Sequence, residues 1–316
     1  MNQRRDLWIH DPYATPGTYH KVQLHCHTTN SDGAFPVREL LHMYREAGYT
    51  FVAITDHERI TRCEDLNSET FLVIPGVENT IVRGFWPLGP HLTRLWVVQD
   101  RLRGAPQEWI HRTVEEGGVV VLSHPSWKGN LWTGEWSRKA LYQLQGYHLM
   151  EIFNPHSDPE EDVRRWVDVL RWWGPTAAVG GIAVDDCHNI RQFNIGWVMA
   201  KVEEVSAPAL RKALLNHSFY ASTGPEAEFG VAGGRIYCRL NEASTIRFYD
   251  QYNHVLLEAC GNRAEYAPLG DEGFVRVECR TAGGKRAWSQ PFWVERVRPP
   301  VEEIPGELEI EEIRYA

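Results

Sequence analysis

Several features that would settle the class of this chain are missing from it. No apolar run approaches the ~20 residues that a membrane-spanning helix needs. The first residues, MNQRRDLWIHDPY, lack the apolar stretch of a secretory leader, so a cytoplasmic protein with no membrane partner is the default expectation. Cations are outnumbered, 33 Lys and Arg against 42 Asp and Glu. The resulting net charge of −9 argues against an extended nucleic-acid partner, which needs clustered cations. It leaves room for a small phosphorylated substrate, because a bound divalent cluster inverts the local field. The six cysteines (Cys26, Cys63, Cys187, Cys238, Cys260 and Cys279) form no CxxC pair. A thiolate zinc site is therefore disfavoured, and reduced, buried thiols are expected. No long internal repeat is visible, and nothing in the composition speaks to oligomeric state. The 316 residues suffice for one barrel, or for a large domain and a small one.

What the chain does have is a series of imidazole and carboxylate groups placed after apolar runs. His25 and His27, in KVQLHCHTTNSDG, are two residues apart, so an extended strand sends both to one face. Asp32, Asp56-His57, Glu78, His91, His124 and Asp186-Cys187-His188 follow. A lone HxH is weak evidence, since strand histidines often bond to backbone. Beside TDH and DxH, the structural explanation loses most of its weight, because buried polar groups at strand ends need partners. Cys26 and Cys187, lying between candidate ligands, should turn away into packing.

The first two-thirds of the chain alternates strand and helix. VQLHCH leads to a helix PVRELLHMYREAG, whose Val37, Leu40, Leu41 and Tyr44 form one apolar face. Strands FVAIT, FLVIPGVE, RLWVVQ, VVVLS, LMEIF and AAVGGIAV follow, interleaved with helices around QEWIHRTVEEGG, SRKALYQLQ and PEEDVRRWVDVLRWW. A last unit runs GWVMAKVE, APALRKALLNH, FYAST. About seven such units imply a mainly parallel sheet closed into a barrel, whose ligand groups sit at strand C-termini, the face where barrel active sites form. His42, His111, His148 and His217 read as ordinary surface histidines. From about Glu226 the runs become short, alternating and β-branched, with no helical period. The expected organisation is an α/β barrel over 1–224, an antiparallel all-β module over 225–298, and an acidic tail over 299–316.

The stretches LHCHTTNSDG, VAITDHE, VIPGVE, VLSHPS and VDDCH, in that order, resemble the PHP superfamily (polymerase and histidinol phosphatase) of metal-dependent phosphoesterases. The likeness covers roughly residues 20–224, and the β module lies outside it. It implies a distorted (β/α)7 barrel holding two or three divalent metals (manganese, zinc or iron). His25, His27, Asp186 and one oxygen of Glu78 would take a first ion. Glu78 would bridge to a second, shared with His91 and His124. Asp32, His57 and His188 would form a third pocket, for a metal or for the substrate phosphate. Asp32 stands where some branches have histidine. Asp186, His188 and His57 are the candidate catalytic groups. His91 lies in the loop RGFWPLGPHLTRLW, as a ligand or as a surface residue.

Substrate contacts are sought in Arg83, Arg94, Lys128 and Arg191, cations beside the motifs, and in Asn154 and His156 at a strand end. Trp127, Trp132 and Trp136, close behind His124, suggest a lid or stacking wall. Asp56 and Asp185 are expected to orient neighbours. The leading functional expectation is hydrolysis of a small phosphate ester, of the nucleotide or sugar phosphate class, by a metal-activated hydroxide. The alternatives are hydrolysis of a carbamate or amide bond at the same metals, and non-catalytic binding of a glycan or partner through the β module.

Overall fold

The computed structural model describes residues 7–81 and 88–296; Arg83 and the acidic tail lie outside them. The strands are β1 (Leu7–Ile9), β2 (Thr18–Gln23), β3 (Tyr49–Ile54), β4 (Leu72–Thr80), β5 (His91–Leu95), β6 (Val119–Leu122), β7 (Leu149–Phe153), β8 (Gly180–Ala183), β9 (Trp197–Val202), β10 (Phe219–Ser222), β11 (Ala227–Ala232), β12 (Arg235–Tyr249), β13 (Val255–Tyr266), β14 (Phe274–Thr281), β15 (Arg286–Trp288) and β16 (Phe292–Arg296). The helices are α1 (Val37–Glu46), α2 (Pro106–Glu115), α3 (Gly129–Trp132), α4 (Arg138–Gln143), α5 (Pro159–Trp173) and α6 (Ala207–Leu215).

Strands β2 to β8 lie side by side in chain order. Alternate residues of β3 and β6 pack on opposite faces. Phe51, Ala53, Val119 and Val121 share one apolar cluster, while Val52 and Ile54 join α1, and Val120 and Leu122 join α2, α4 and α5. Both faces are apolar because both are covered, which is why these strands read as continuous hydrophobic runs. Helix α1 buries Leu40, Leu41 and Tyr44 and ends at Gly48, whose φ of 81° suits the left-handed turn that stops a helix. Just beyond the strand ends the run meets its own beginning. Cys26 bridges Cys187 in parallel, the Asp186 N–H donates to the His25 carbonyl (3.0 Å), and the His27 N–H donates to the Cys187 carbonyl (3.1 Å).

The strand–helix alternation expected of a distorted (β/α)7 barrel is broken in several places. The fold is mixed α/β and rich in strands. Between β3 and β4 there is only a 3-10 turn, Glu64–Leu66. Strand β5 runs antiparallel to both β4 and β6. The ten residues separating Thr80 from His91 are too few for the crossover a parallel neighbour requires. The last expected unit also differs, since β9 is antiparallel to β2 and β10 to β9.

From β10 the sheet continues through β15 and β14 into the β-rich region, and β1 pairs with β16 there, so the N-terminal strand joins that region. Its core includes Tyr13, Phe229, Ile236, Phe248, Val277 and Phe292. His148 and His217 are not surface histidines. They line a mostly apolar cavity of about 360 Å³ at the N-terminal ends of β7 and β8, with Val114, Leu144, Tyr147 and Trp173.

Candidate metal centre

The rim at the opposite end gathers the nine candidate ligands. His25 and His27 continue from β2, where the chain is held by Gln23: its side-chain oxygen accepts the N–H of Leu24 (3.0 Å), His25 (3.1 Å) and Asp185 (3.3 Å). His57 follows β3, and Glu78 lies within β4. His91 opens β5 rather than sitting in the loop before a strand. Because β5 is reversed, its first residue reaches the rim where the neighbouring strands end. His124 (φ 29°) and Asp186 (φ 43°) have positive φ, uncommon for residues with a side chain and a form of strain that gathers at functional sites.

Glu78, almost wholly buried, is the hub. Its Oε2 is faced by His25 Nε2 at 3.1 Å, His27 Nε2 at 3.3 Å and His57 Nδ1 at 3.3 Å. Its Oε1 is faced by His91 Nδ1 and His124 Nε2, both at 3.0 Å. Asp186 Oδ1 lies 3.1 Å from His27 Nε2 and 3.4 Å from His25 Nε2. A looser third group surrounds Asp32, which has His188 Nε2 at 3.4 Å, His57 Nε2 at 3.6 Å and His27 Nδ1 at 3.8 Å. All three groups open on one cavity of about 280 Å³.

These residues could hold metal ions, and the structure offers a test of fit. Ligands ~2.1 Å from a common ion lie about 3.0–3.4 Å from one another, the spacing seen around Glu78 and Asp186. The sets His25–His27–Glu78–Asp186, His57–Glu78–His91 and His27–Asp32–His57–His188 each bring one atom per residue within 4.8 Å. Among the described residues, buried Asp186 Oδ1 and His27 Nδ1, both facing the cluster, find no hydrogen-bond partner. An oxygen flanked by two imidazoles yet bonded to neither is aimed at a shared point, not at its neighbours.

The electrostatics agree. Burial pulls the His25 imidazole down, but the Asp186, Glu78 and Glu151 carboxylates outweigh it and lift the group well above its ordinary value. His27, likewise opposed by burial and lifted by Asp186 and Glu78, reaches about 9, and His124 is also raised. Burial pushes Glu78 and Asp186 up, yet the surrounding imidazoles hold both well below the usual carboxylate range. Such a field retains positive charge, whether carried by protons or by cations. Cation loading displaces the protons.

Two supporting residues were not legible in the sequence. Glu151, in β7, accepts from His25 Nδ1 (2.6 Å), from the His124 N–H (2.6 Å) and from Asn154 Nδ2 (2.8 Å). It thereby fixes which His25 nitrogen faces the cluster. The signal was an acid inside the apolar strand LMEIF. The other is Gln23. Asp56 does orient its loop, accepting from the Thr28 N–H (2.7 Å), Thr28 Oγ1 (2.7 Å) and Ser31 Oγ (2.8 Å). Asp185 accepts from Tyr44 and from the N–H groups of Asn194, Ile195 and Gly196.

The substrate candidates divide. Arg94 is buried in β5, donating to Asn79 Oδ1 (2.8 Å) and to the Gln99 and Asp100 carbonyls, so it braces a turn and touches no substrate. Asn154 spends its amide on Glu151 and on Asp186 Oδ2 (3.0 Å), a positioning part. Trp136, 1% exposed, is a core residue whose indole N–H donates to the His91 carbonyl (3.0 Å), and Trp132, 78% exposed, lies outside the cavity lining. Of these three, Trp127 lines the cavity, its ring 4.8 Å from that of His124 and 5.0 Å from that of His91. His156 also lines it, Nε2 3.9 Å from Asp186 Oδ2. Lys128 and Arg191 are exposed and do not.

No protein-family model matches the sequence. An uncharacterized protein of Methanocaldococcus jannaschii is 28% identical over 126 residues, 39% of this chain and 67% of that protein. Among solved structures, a two-domain protein of Bacteroides vulgatus, described as containing a predicted PHP-like metal-dependent phosphoesterase, is 16% identical. It matches with a TM-score of 0.53 over 92% of this chain and 100% of that one. The chain thus has a PHP-like fold, the one its five motifs resemble.

Proposed function

We propose that this protein is a metal-dependent hydrolase of a small phosphate ester, of the nucleotide or sugar phosphate class. The observation that supports this most is the division of Glu78 between two sets of imidazoles, three on one oxygen and two on the other. A carboxylate with a ligand set on each oxygen is suited to hold two cations. His25, His27 and Asp186 would take one divalent ion with Glu78, and His91 and His124 the other. Asp32, His57 and His188 would take a third ion or the phosphoryl group. Bound there, such ions would supply a water of lowered pKa and neutralise the phosphoryl charge. Manganese, zinc and iron all accept this mixed donor set.

The chain's own groups do the rest. Glu151 and Asn154 orient His25 and Asp186. The half-buried His57 and His188 face the cavity, where a phosphoryl oxygen would meet them. Trp127 forms one wall, a flat apolar surface for the part of the substrate beyond the phosphate.

The test is elemental analysis of untreated protein, then turnover of a panel of phosphate monoesters and diesters with manganese, zinc or iron supplied. Metal-dependent release of phosphate is expected. Turnover of aryl carbamates with none of any phosphate ester would replace the ester reading by the amide-bond one. Metal-replete protein inert to both would overturn the proposal.

A further inference from the structure

Strand β8 delivers Asp186 and His188, yet it is the last strand of its path and, among the described residues, pairs only with β7. Its outer edge is closed by side chains. Near its start, Gln290 places its amide flat against Gly181. The Gly181 N–H donates to Oε1 (2.9 Å) and Nε2 donates to the Gly181 carbonyl (2.8 Å). Just beyond its end, Gln23 accepts the Asp185 N–H. Gln290 is fully buried and both halves of its amide are spent on this one residue. Without it, a buried N–H and a buried C=O of β8 would lose their partner.

Gln290 belongs to the β-rich region and is itself held. Its N–H donates to the Tyr13 hydroxyl (2.7 Å), and its carbonyl accepts from Ser289 Oγ (2.9 Å). Ser289 in turn exchanges hydrogen bonds with Val277 of β14 through its N–H (2.9 Å) and its Oγ (2.8 Å). On the other face of Gly181 there is no space for a side chain, since a Cβ would meet the Trp166 ring at 2.9 Å. Asp186 lies five positions beyond Gly181, about 16 Å of extended chain, so a displacement of β8 at one end reaches the ligands at the other.

We propose that Gln290 is a positioning residue, standing in for a strand neighbour of β8, and that through it the β module sets the placement of Asp186 and His188. The consequence for metal affinity rests on the metal-site reading above; the consequence for β8 does not.

The experiment uses the full chain and two readouts, backbone hydrogen exchange without added metal and Mn²⁺ affinity. Gln290→Ala is compared with Phe248→Leu, a change in the core of the β module away from β8. For Q290A, exchange over residues 180–186 should rise at least about tenfold while β6 holds its protection, and Mn²⁺ should bind about tenfold more weakly or worse. For F248L, neither should change selectively. Should Q290A not fold, Gln290→Met, which keeps the side-chain length and removes both partners of Gly181, should shift both readouts the same way. Unchanged exchange over 180–186 overturns the inference, as does loosened exchange with unaltered Mn²⁺ affinity. If wild-type chain binds no Mn²⁺, the metal reading fails, and the exchange result alone still decides whether Gln290 holds β8.

Discussion

The two ends of the strand run β2 to β8 each hold a cavity lined with histidine, and they differ in one respect that decides their chemistry. At the rim, Glu78, Asp186 and Asp32 line a space of about 280 Å³ together with His57, His91, His124, His156 and His188. At the other end, His148 and His217 line about 360 Å³ without any Asp or Glu among the described lining residues. Burial then acts unopposed. It pushes both imidazoles down to about 4, His148 with help from the Arg211 charge, so that they stay neutral across the physiological range. At the rim the carboxylates override burial at His25, His27 and His124, which are raised, while burial still holds His57 and His156 down. What sets the rim apart is anionic oxygen about 3 Å from nitrogens of His25, His27 and His124, which favours positive charge there.

The largest effect is expected from removing the carboxylate at the centre of the rim. Glu78→Ala should cost more than the 10–100-fold loss of metal affinity typical of residues that merely support a ligand. Stoichiometry from elemental analysis after dialysis, together with turnover, checks it. Next in size is Glu151→Gln, which keeps an acceptor for His25 but discards the charge. Metal titration should show about 10–100-fold weaker binding, with the fold unchanged by circular dichroism.

The lower cavity yields a smaller effect in another quantity. Between about pH 4 and 6.5 the unfolded chain takes up protons at His148 and His217 while the folded chain does not, so stability falls as pH drops through that window. The loss is on the order of 3 kcal/mol per histidine at most. His217→Asn suits the left-handed backbone there (φ 57°) and cannot titrate, so denaturant melts at pH 7 and pH 5 should differ less than in wild type. At the rim, His25, His27 and His124 pull the opposite way. The contribution of His27 in metal-free protein is fully present below about 6.5 and is lost as pH rises through about 9. Smallest of all, Lys128→Ala and Arg191→Ala should leave metal affinity within about twofold and stability within ~0.5 kcal/mol. A large loss in either would show that the cavity extends farther than its lining residues indicate.

Much of the rim was legible because its groups follow apolar runs, and a strand period places them. His25 with His27, Glu78, His124 and Asp186 are found this way. The reversal of β5 was not, since an apolar run carries no direction; only the shortness of the link after Thr80 hints at it. Arg94 and Trp136 looked like substrate groups because proximity in sequence to a ligand is blind to which face a side chain takes. Glu151, Gln23 and Gln290 were hidden for a different reason. Each works through partners far away in the chain: Glu151 through His25, and Gln290 through Gly181, 109 positions distant. The β-rich region was recognised by its short alternating runs, but its continuity with β10 and its pairing with the N-terminal β1 depend on contacts that no local pattern records.

The most direct test is anomalous diffraction from crystals grown with Mn²⁺. An ion is expected among His25, His27, Glu78 and Asp186, with a second on the other oxygen of Glu78 beside His91 and His124. Full-occupancy manganese elsewhere on the molecule, with those side chains holding none, would contradict it.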